Sequence, residues 1–295
     1  MAEPRTILMA SDFSDSSRRA FEAALVLAER AEASLHLVHA LEVPLPIFEP
    51  YAVGVPAEFI GQARKAAQEQ LGALEAEVKG RGLSGTVSLG EVPAAAAVAA
   101  RARELGADLV VVGTHGHTGL RHVLLGSVAE RTVKEAPCSV LTVKQGGDLR
   151  APQALVAAVD FSQGAREALR QAADLAAWWG ARLHLVHALD LRIPLVTPYE
   201  VTVPDAWFDS AWEAAGRKLG ELVQELSPEV EATHEVRSEP PHDAICAVAK
   251  AQEADLIVTG SRGLTGLKHV VLGSVAERTL RHAPCSVWTV REEGE

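Results

Sequence analysis

The chain has 295 residues, enough for two domains of about 150 residues each. It is 48% hydrophobic and 23% charged, the balance of a globular protein that buries a core. A formal net charge of -11 with no Lys/Arg run argues against a nucleic-acid surface, and no apolar run reaches the roughly 20 residues of a membrane span.

The elements follow in order from apolar periodicity. Thr6–Ala10 reads as a strand, Ser14–Ala31 as a helix and Ser34–Ala40 as a second strand. Leu41–Pro56, rich in proline and aromatics, reads as a loop. Ala57–Arg81 is a long helix, Gly85–Leu89 a third strand, and Pro93–Leu105 an Ala-rich helix that opens on proline. Asp108–Gly113 is a fourth strand, Ser127–Glu135 a helix, and Cys138–Val143 the last strand.

The pattern then repeats. VLLGSVAERTVKEAPCSVLTV from Val123 returns as VVLGSVAERTLRHAPCSVWTV from Val270, at an offset of 147. ILMASDFSDSSRRAFEAAL from Ile7 matches LVAAVDFSQGAREALRQAA from Leu155, at an offset of 148. Each repeat spans a whole domain, so this is a duplication and not a solenoid of short units. The join lies in the Gly/Asp/Pro stretch Gln145–Pro152, which gives domains 1–146 and 152–295.

Alternating strands and helices imply a parallel sheet covered on both faces. LVVVG and LIVTG are apolar without alternation, as central strands of such a sheet are. The expected fold is α/β: two tandem doubly wound domains, each a five-stranded parallel sheet of order 3-2-1-4-5 with helices on both faces.

Ligands of open parallel sheets bind beyond the carboxyl ends of the strands. Two features stand there. Asp12, and Asp160 in the second copy, follow the first strand. After the fourth strand, Gly113-Thr-His-Gly116 is followed by nine residues and Gly126-Ser127; the second copy has Gly260-Ser-Arg-Gly263, nine residues and Gly273-Ser274. Glycines let main-chain N–H groups approach a ligand, and a helix N-terminus attracts phosphate. The plainer reading is a glycine ending a strand and a serine capping a helix. Neither GxxxxGK[ST] nor a GxGxxG after the first strand occurs, so this is neither a Walker loop nor a dinucleotide fingerprint.

The G-x2-G-x9-G-[ST] pattern, with an Asp ending strand one, LVHA at strand two and a closing PCSV strand, resembles the ATP-binding branch of the universal stress protein family, in its tandem form. The resemblance implies a nucleoside pocket lined by Asp12 and the main chain of Ala10, and by Asp160 and Ala158. It implies that the main chain of Ala40 or Ala188 meets the adenine edge, a position more often valine. Val112 and Thr259 would pack near ribose and base. Gly113, Gly116, Gly126, Ser127 and Val128 would hold the phosphates, as would Gly260, Gly263, Gly273, Ser274 and Val275. Where the family loop often carries Arg, the second copy has Arg262 and the first His115, so weaker or more pH-sensitive binding is expected in copy one. The resemblance further implies ATP, with Mg²⁺, in a stress-response signalling module. The last strands CSVLTV and CSVWTV would meet as an intramolecular pseudo-dimer, with homodimers as a further option.

The competing function is a slow ATPase or adenylyl-transfer enzyme, but no general base is paired with a nucleophile. A third is an interaction scaffold whose pockets are idle. His115, His117 and His122 are close in sequence, but Arg262, Leu264 and His269 stand at their places in copy two, so no metal site is expected. His36 and His39, like His184 and His187, face opposite sides of a strand, with His39 and His187 either beside the pocket or packed at the strand end. Cys138, Cys246 and Cys285 form neither a CxxC pair nor a disulfide framework, and Met1–Met9 lacks the apolar stretch of a secretory signal; a cytoplasmic location is expected. Cys138 and Cys285 each follow a proline, which predicts buried packing.

Overall fold

The computed structural model describes residues 4–41, 56–90, 92–116, 125–144, 149–189, 205–263 and 272–292. Contacts divide the chain into two compact units, residues 2–145 and 146–295. The first runs β1 (Thr6–Ala10), α1 (Asp15–Ala31), β2 (Ser34–Ala40), α2 (Ala57–Gly80), β3 (Val87–Gly90), α3 (Ala94–Leu105), β4 (Leu109–Gly113), α4 (Ser127–Glu135) and β5 (Ser139–Val143). Its strands lie in the order β3-β2-β1-β4-β5, all parallel. The second runs β6 (Ala154–Ala158), α5 (Gln163–Trp179), β7 (Arg182–Ala188), α6 (Asp205–Glu225), β8 (Ala232–Arg237), α7 (Pro241–Ala251), β9 (Leu256–Gly260), α8 (Ser274–His282) and β10 (Ser286–Val290). Its order is β8-β7-β6-β9-β10, the same winding.

Right-handed crossovers place α1 and α2 on one face of the first sheet and α3 and α4 on the other. All five residues of β4, and all five of β9, are therefore buried. Arg18–Glu77 at 2.7 Å and Arg81–Glu29 at 2.9 Å tie α1 to α2, but these exposed pairs add little stability. Carboxylates set where the central strands start. Asp108 Oδ2 accepts the N–H groups of Arg5 and Thr6, both at 2.9 Å, and Asp255 Oδ2 accepts those of Gln153 and Ala154 at 2.6 and 3.2 Å. The cores differ at several matched positions, and one of these differences brings a buried hydrogen bond. Leu141 in β5 becomes Trp288 in β10, and Ala23 in α1 becomes Gln171 in α5. Trp288 is fully buried and its Nε1–H donates to Gln171 Oε1 at 3.2 Å, so the buried indole keeps a partner.

Several element ends move from their expected places. The third strand begins at Val87, not Gly85. A Cβ on Gly85 would collide with the Leu35 carbonyl, so that glycine marks a close backbone approach ahead of the strand. Pro93 caps α3 instead of opening it, and α2 ends at Gly80. The closing strands begin at Ser139 and Ser286, one residue beyond each cysteine. Cys285 is buried as expected, but Cys138 is only half-buried. Nearly all of the loops 41–56 and 189–204, and residues 145–148 of the join, lie outside the described residues.

Candidate functional site

The carboxyl ends of β1, β2 and β4 form one edge of the first sheet. Ala10 ends β1, and the Ser11 N–H still reaches Val38 O at 2.9 Å before the chain turns. Asp12 Oδ1 then accepts the Ser14 N–H at 3.0 Å and the Ser14 hydroxyl at 2.6 Å. Ser14 in turn caps α1 by accepting the Ser17 N–H. The second carboxylate oxygen faces the glycine loop: a Cβ on Gly116 would lie 2.6 Å from Asp12 Oδ2. Only glycine leaves that approach open. The second unit repeats the geometry. Asp160 Oδ1 accepts from Ser162 N at 2.9 Å and from the Ser162 hydroxyl, and a Cβ on Gly263 would lie 2.6 Å from Asp160 Oδ2.

Between Asp and Ser stands a residue the sequence reading passed over. Phe13 has φ 63° and Phe161 φ 64°, a left-handed backbone that costs a non-glycine residue about 1–2 kcal/mol. Each ring packs on a histidine, Phe13 on His39 at 4.4 Å and Phe161 on His187 at 4.6 Å between centroids. His39 Nδ1 meets Ser11 O at 2.8 Å and His187 Nδ1 meets Val159 O at 2.7 Å. A carbonyl only accepts, so Nδ1 carries the proton in both. These histidines therefore stand beside the site and hold its turn. The repeated Asp-Phe-Ser was the available signal.

His36 and His184 do other work. His36 Nδ1 contacts Thr86 Oγ1 at 2.9 Å; His184 contacts Thr233 Oγ1 at 2.7 Å and Glu235 Oε1 at 3.2 Å. Burial lowers the pKa of both. The Arg101 charge lowers that of His36 further, while Glu235 opposes the effect at His184.

The loop after β4 leaves from a fully buried strand. Val112 and Thr259 precede its first glycine, both about 5% exposed. Gly113 packs on α1, where a Cβ would lie 2.7 Å from Ser16 Oγ. Thr114 N–H donates to Val143 O at 3.1 Å, and the loop returns when Gly126 N–H donates to Thr114 O at 2.7 Å. His115 donates its N–H to Ser16 Oγ at 3.3 Å, and its Nδ1 lies 3.0 Å from Thr114 Oγ1. In the second unit Ser261 N–H donates to Val290 O and Gly273 N–H to Ser261 O, both at 2.8 Å. Arg262 occupies the matching loop position, half-buried.

Gly126 and Gly273, not the serines, occupy the N-cap positions, with φ -70° and -68° and no side-chain cap. Ser127 and Ser274 are the first helical residues. The first helical bonds are Glu130 N to Gly126 O and Glu277 N to Gly273 O, both 3.0 Å. The N–H groups of Ser127, Val128 and Ala129, and those of Ser274, Val275 and Ala276, precede them. Val128 and Val275 are 37% and 36% exposed, open enough for a ligand to reach the main chain. A groove of about 380 Å³ reaches Ser127 and Val128 from the Ala94–Ala96 turn of α3. Ala40 and Ala188 end β2 and β7, where Leu41 N–H donates to Gly90 O at 2.9 Å and Leu189 N–H to Arg237 O at 2.8 Å. Ala158 ends β6.

The structure thus brings Asp12, Gly113, His115, Gly116 and Gly126 together, and Asp160, Gly260, Arg262, Gly263 and Gly273 likewise. Ala40 and Ala188 stand on the neighbouring strand. Among the described residues no group of three His, Cys, Asp or Glu side chains could hold a metal. His117, His122, Leu264 and His269 lie outside the described residues. No described helix is long and apolar enough to cross a membrane.

The model of the universal stress protein family matches residues 3–144 and again 153–291. A universal stress protein of Methanocaldococcus jannaschii is 34% identical over 146 residues, 48% of this chain and 82% of that protein. One of Mycobacterium tuberculosis is 31% identical over 193 residues, 63% of this chain and 62% of that protein. Among solved structures, a universal stress protein of Archaeoglobus fulgidus shares the fold over 98% of this chain and 97% of its own, with a TM-score of 0.70 at 19% identity. Two matches to the family model in succession, over units with the same strand order, make the chain a member of the universal stress protein family with two family domains in tandem.

Proposed function

We propose that each unit binds one adenine nucleotide, ATP with Mg²⁺, and that the protein serves the stress response as a nucleotide-dependent binding module in the cytoplasm. The observation that carries this is the duplicated approach of an aspartate oxygen to a loop glycine, 2.6 Å from where a Cβ would stand in both units. It stands at the sheet edge that also presents a helix start without a side-chain cap. The α4 and α8 N–H groups suit phosphate oxygens, and the Asp carboxylates suit nucleoside hydroxyls. Mg²⁺ takes oxygen ligands and arrives with the phosphates.

Mass spectrometry of the ligand released from gently purified protein tests the reading. Two adenine nucleotides per chain support it. Absence of nucleotide, together with no ATP-dependent rise in melting temperature, overturns it in favour of an idle scaffold. Rapid stoichiometric release of ADP in a single-turnover assay would replace the binding module with an enzyme.

A further inference from the structure

The two sites share a backbone, but one position beside the glycine loop is exchanged. In the first unit Ser16, buried in the opening turn of α1, takes the His115 N–H on its hydroxyl. The second unit has Gly164 there, also buried, in the opening turn of α5. A carboxylate fills the space the missing side chain leaves. A Cβ on Gly164 would collide with Glu292 Oε1 and lie 3.3 Å from the Glu292 carboxyl carbon and 3.5 Å from Arg262 O. Gly260 closes the cluster, its own Cβ position lying 3.1 Å from the Gly164 carbonyl group and 3.2 Å from Arg262 O.

Where the first unit has a neutral hydroxyl, the second has a carboxylate against the opening turn of α5, the turn that also faces Arg262 O. Helix capping does not require it, because Ser162 already accepts the Ala165 N–H at 3.1 Å. Copy one has Gln145 at the position matching Glu292, so the repeat there is uncharged. The loop also differs in its hydroxyls. Thr114 Oγ1 is engaged by His115, whereas Ser261 Oγ is buried without a hydrogen-bond partner.

We propose that Glu292 is a specificity-determining residue of the second site, where its carboxylate sets how much phosphate charge the site accepts. The inference rests on the nucleotide reading above. Arg262 attracts any phosphate; Glu292 beside the loop backbone repels each added one. The second site therefore discriminates by phosphate number, a property the first lacks.

Isothermal titration of the full-length chain with adenosine, AMP, ADP and ATP tests this in Glu292→Gln. In that variant the second site tightens by about tenfold for ATP, about threefold for ADP, less for AMP and not at all for adenosine, and the gain shrinks as salt rises. An equal change for all four ligands assigns Glu292 a structural role and overturns the inference, as does no change for any of them. Failure of the unaltered chain to bind any of the four overturns the nucleotide reading instead.

Discussion

Set side by side, the two units keep the same backbone and differ in what lines it. Both hold an aspartate against a loop glycine, both turn through a left-handed phenylalanine, and both start the helix after the loop on an uncapped glycine. Around that frame the first unit places an imidazole and a serine hydroxyl, the second a guanidinium and a carboxylate. The cores diverge in the same manner, a leucine and alanine in one becoming a hydrogen-bonded tryptophan and glutamine in the other. The aspartate, phenylalanine and glycines that shape the site were retained after duplication, while the charged and hydroxyl groups beside them changed.

The largest effect that tests this comparison is on stability. Trp288→Ala costs about 3–5 kcal/mol, because it opens a large cavity and strands the Gln171 amide. Converting the pair to its copy-one identities, Trp288→Leu with Gln171→Ala, recovers most of that loss in urea unfolding; no recovery would mean that the pairs are not interchangeable. Next is the glycine approach. Gly116→Val or Gly263→Val displaces the facing aspartate and removes one nucleotide of two, an affinity loss of about 100-fold at that site alone on calorimetric titration. Loss at both sites from one substitution would mean that the two sites are coupled.

A smaller effect follows from the loop cation. At pH 8, Arg262→His weakens the second site about tenfold, and His115→Arg strengthens the first by a similar factor. Equal affinities of the unaltered sites at pH 8, measured in variants with one site closed, would remove this difference between them. The smallest effect comes from His36 and His184. Their folded pKa values are depressed, so the unfolded chain binds protons first as pH falls. Stability is full above about pH 6.5, the ordinary histidine value, and declines as pH drops below it. His36→Gln and His184→Gln should each flatten that decline in urea unfolding across about pH 5–7. A decline unchanged in either variant would remove that histidine from the account.

Strand order, helix placement and the glycine spacing were legible because apolar periodicity and special-backbone residues act locally. The site's edge followed from the winding of the sheet alone. Less legible was anything decided by a distant partner. Gly164 reads as a poor helix residue until the Glu292 carboxylate is seen in its space. Ser127 reads as a cap, but Gly126 takes that position, tied to Thr114 O through its N–H, and Ser127 is the first helical residue. Phe13 gives no sign of a left-handed backbone, since its stability there depends on His39 from another strand. Cys138 and Cys285 occupy matching places, yet the first stays half-buried and the second is buried.

The carboxylates of Asp108 and Asp255 have a consequence for synthesis on the ribosome. Each holds the start of a unit's first strand through residues made about a hundred positions later. β1 can pair with β2 early, but its other neighbour, β4, emerges long afterwards. Until then Asp12 has no Gly116 to face. A nascent unit therefore spends most of its elongation without its completed site, and the nucleotide proposed above would meet that site only in a finished domain.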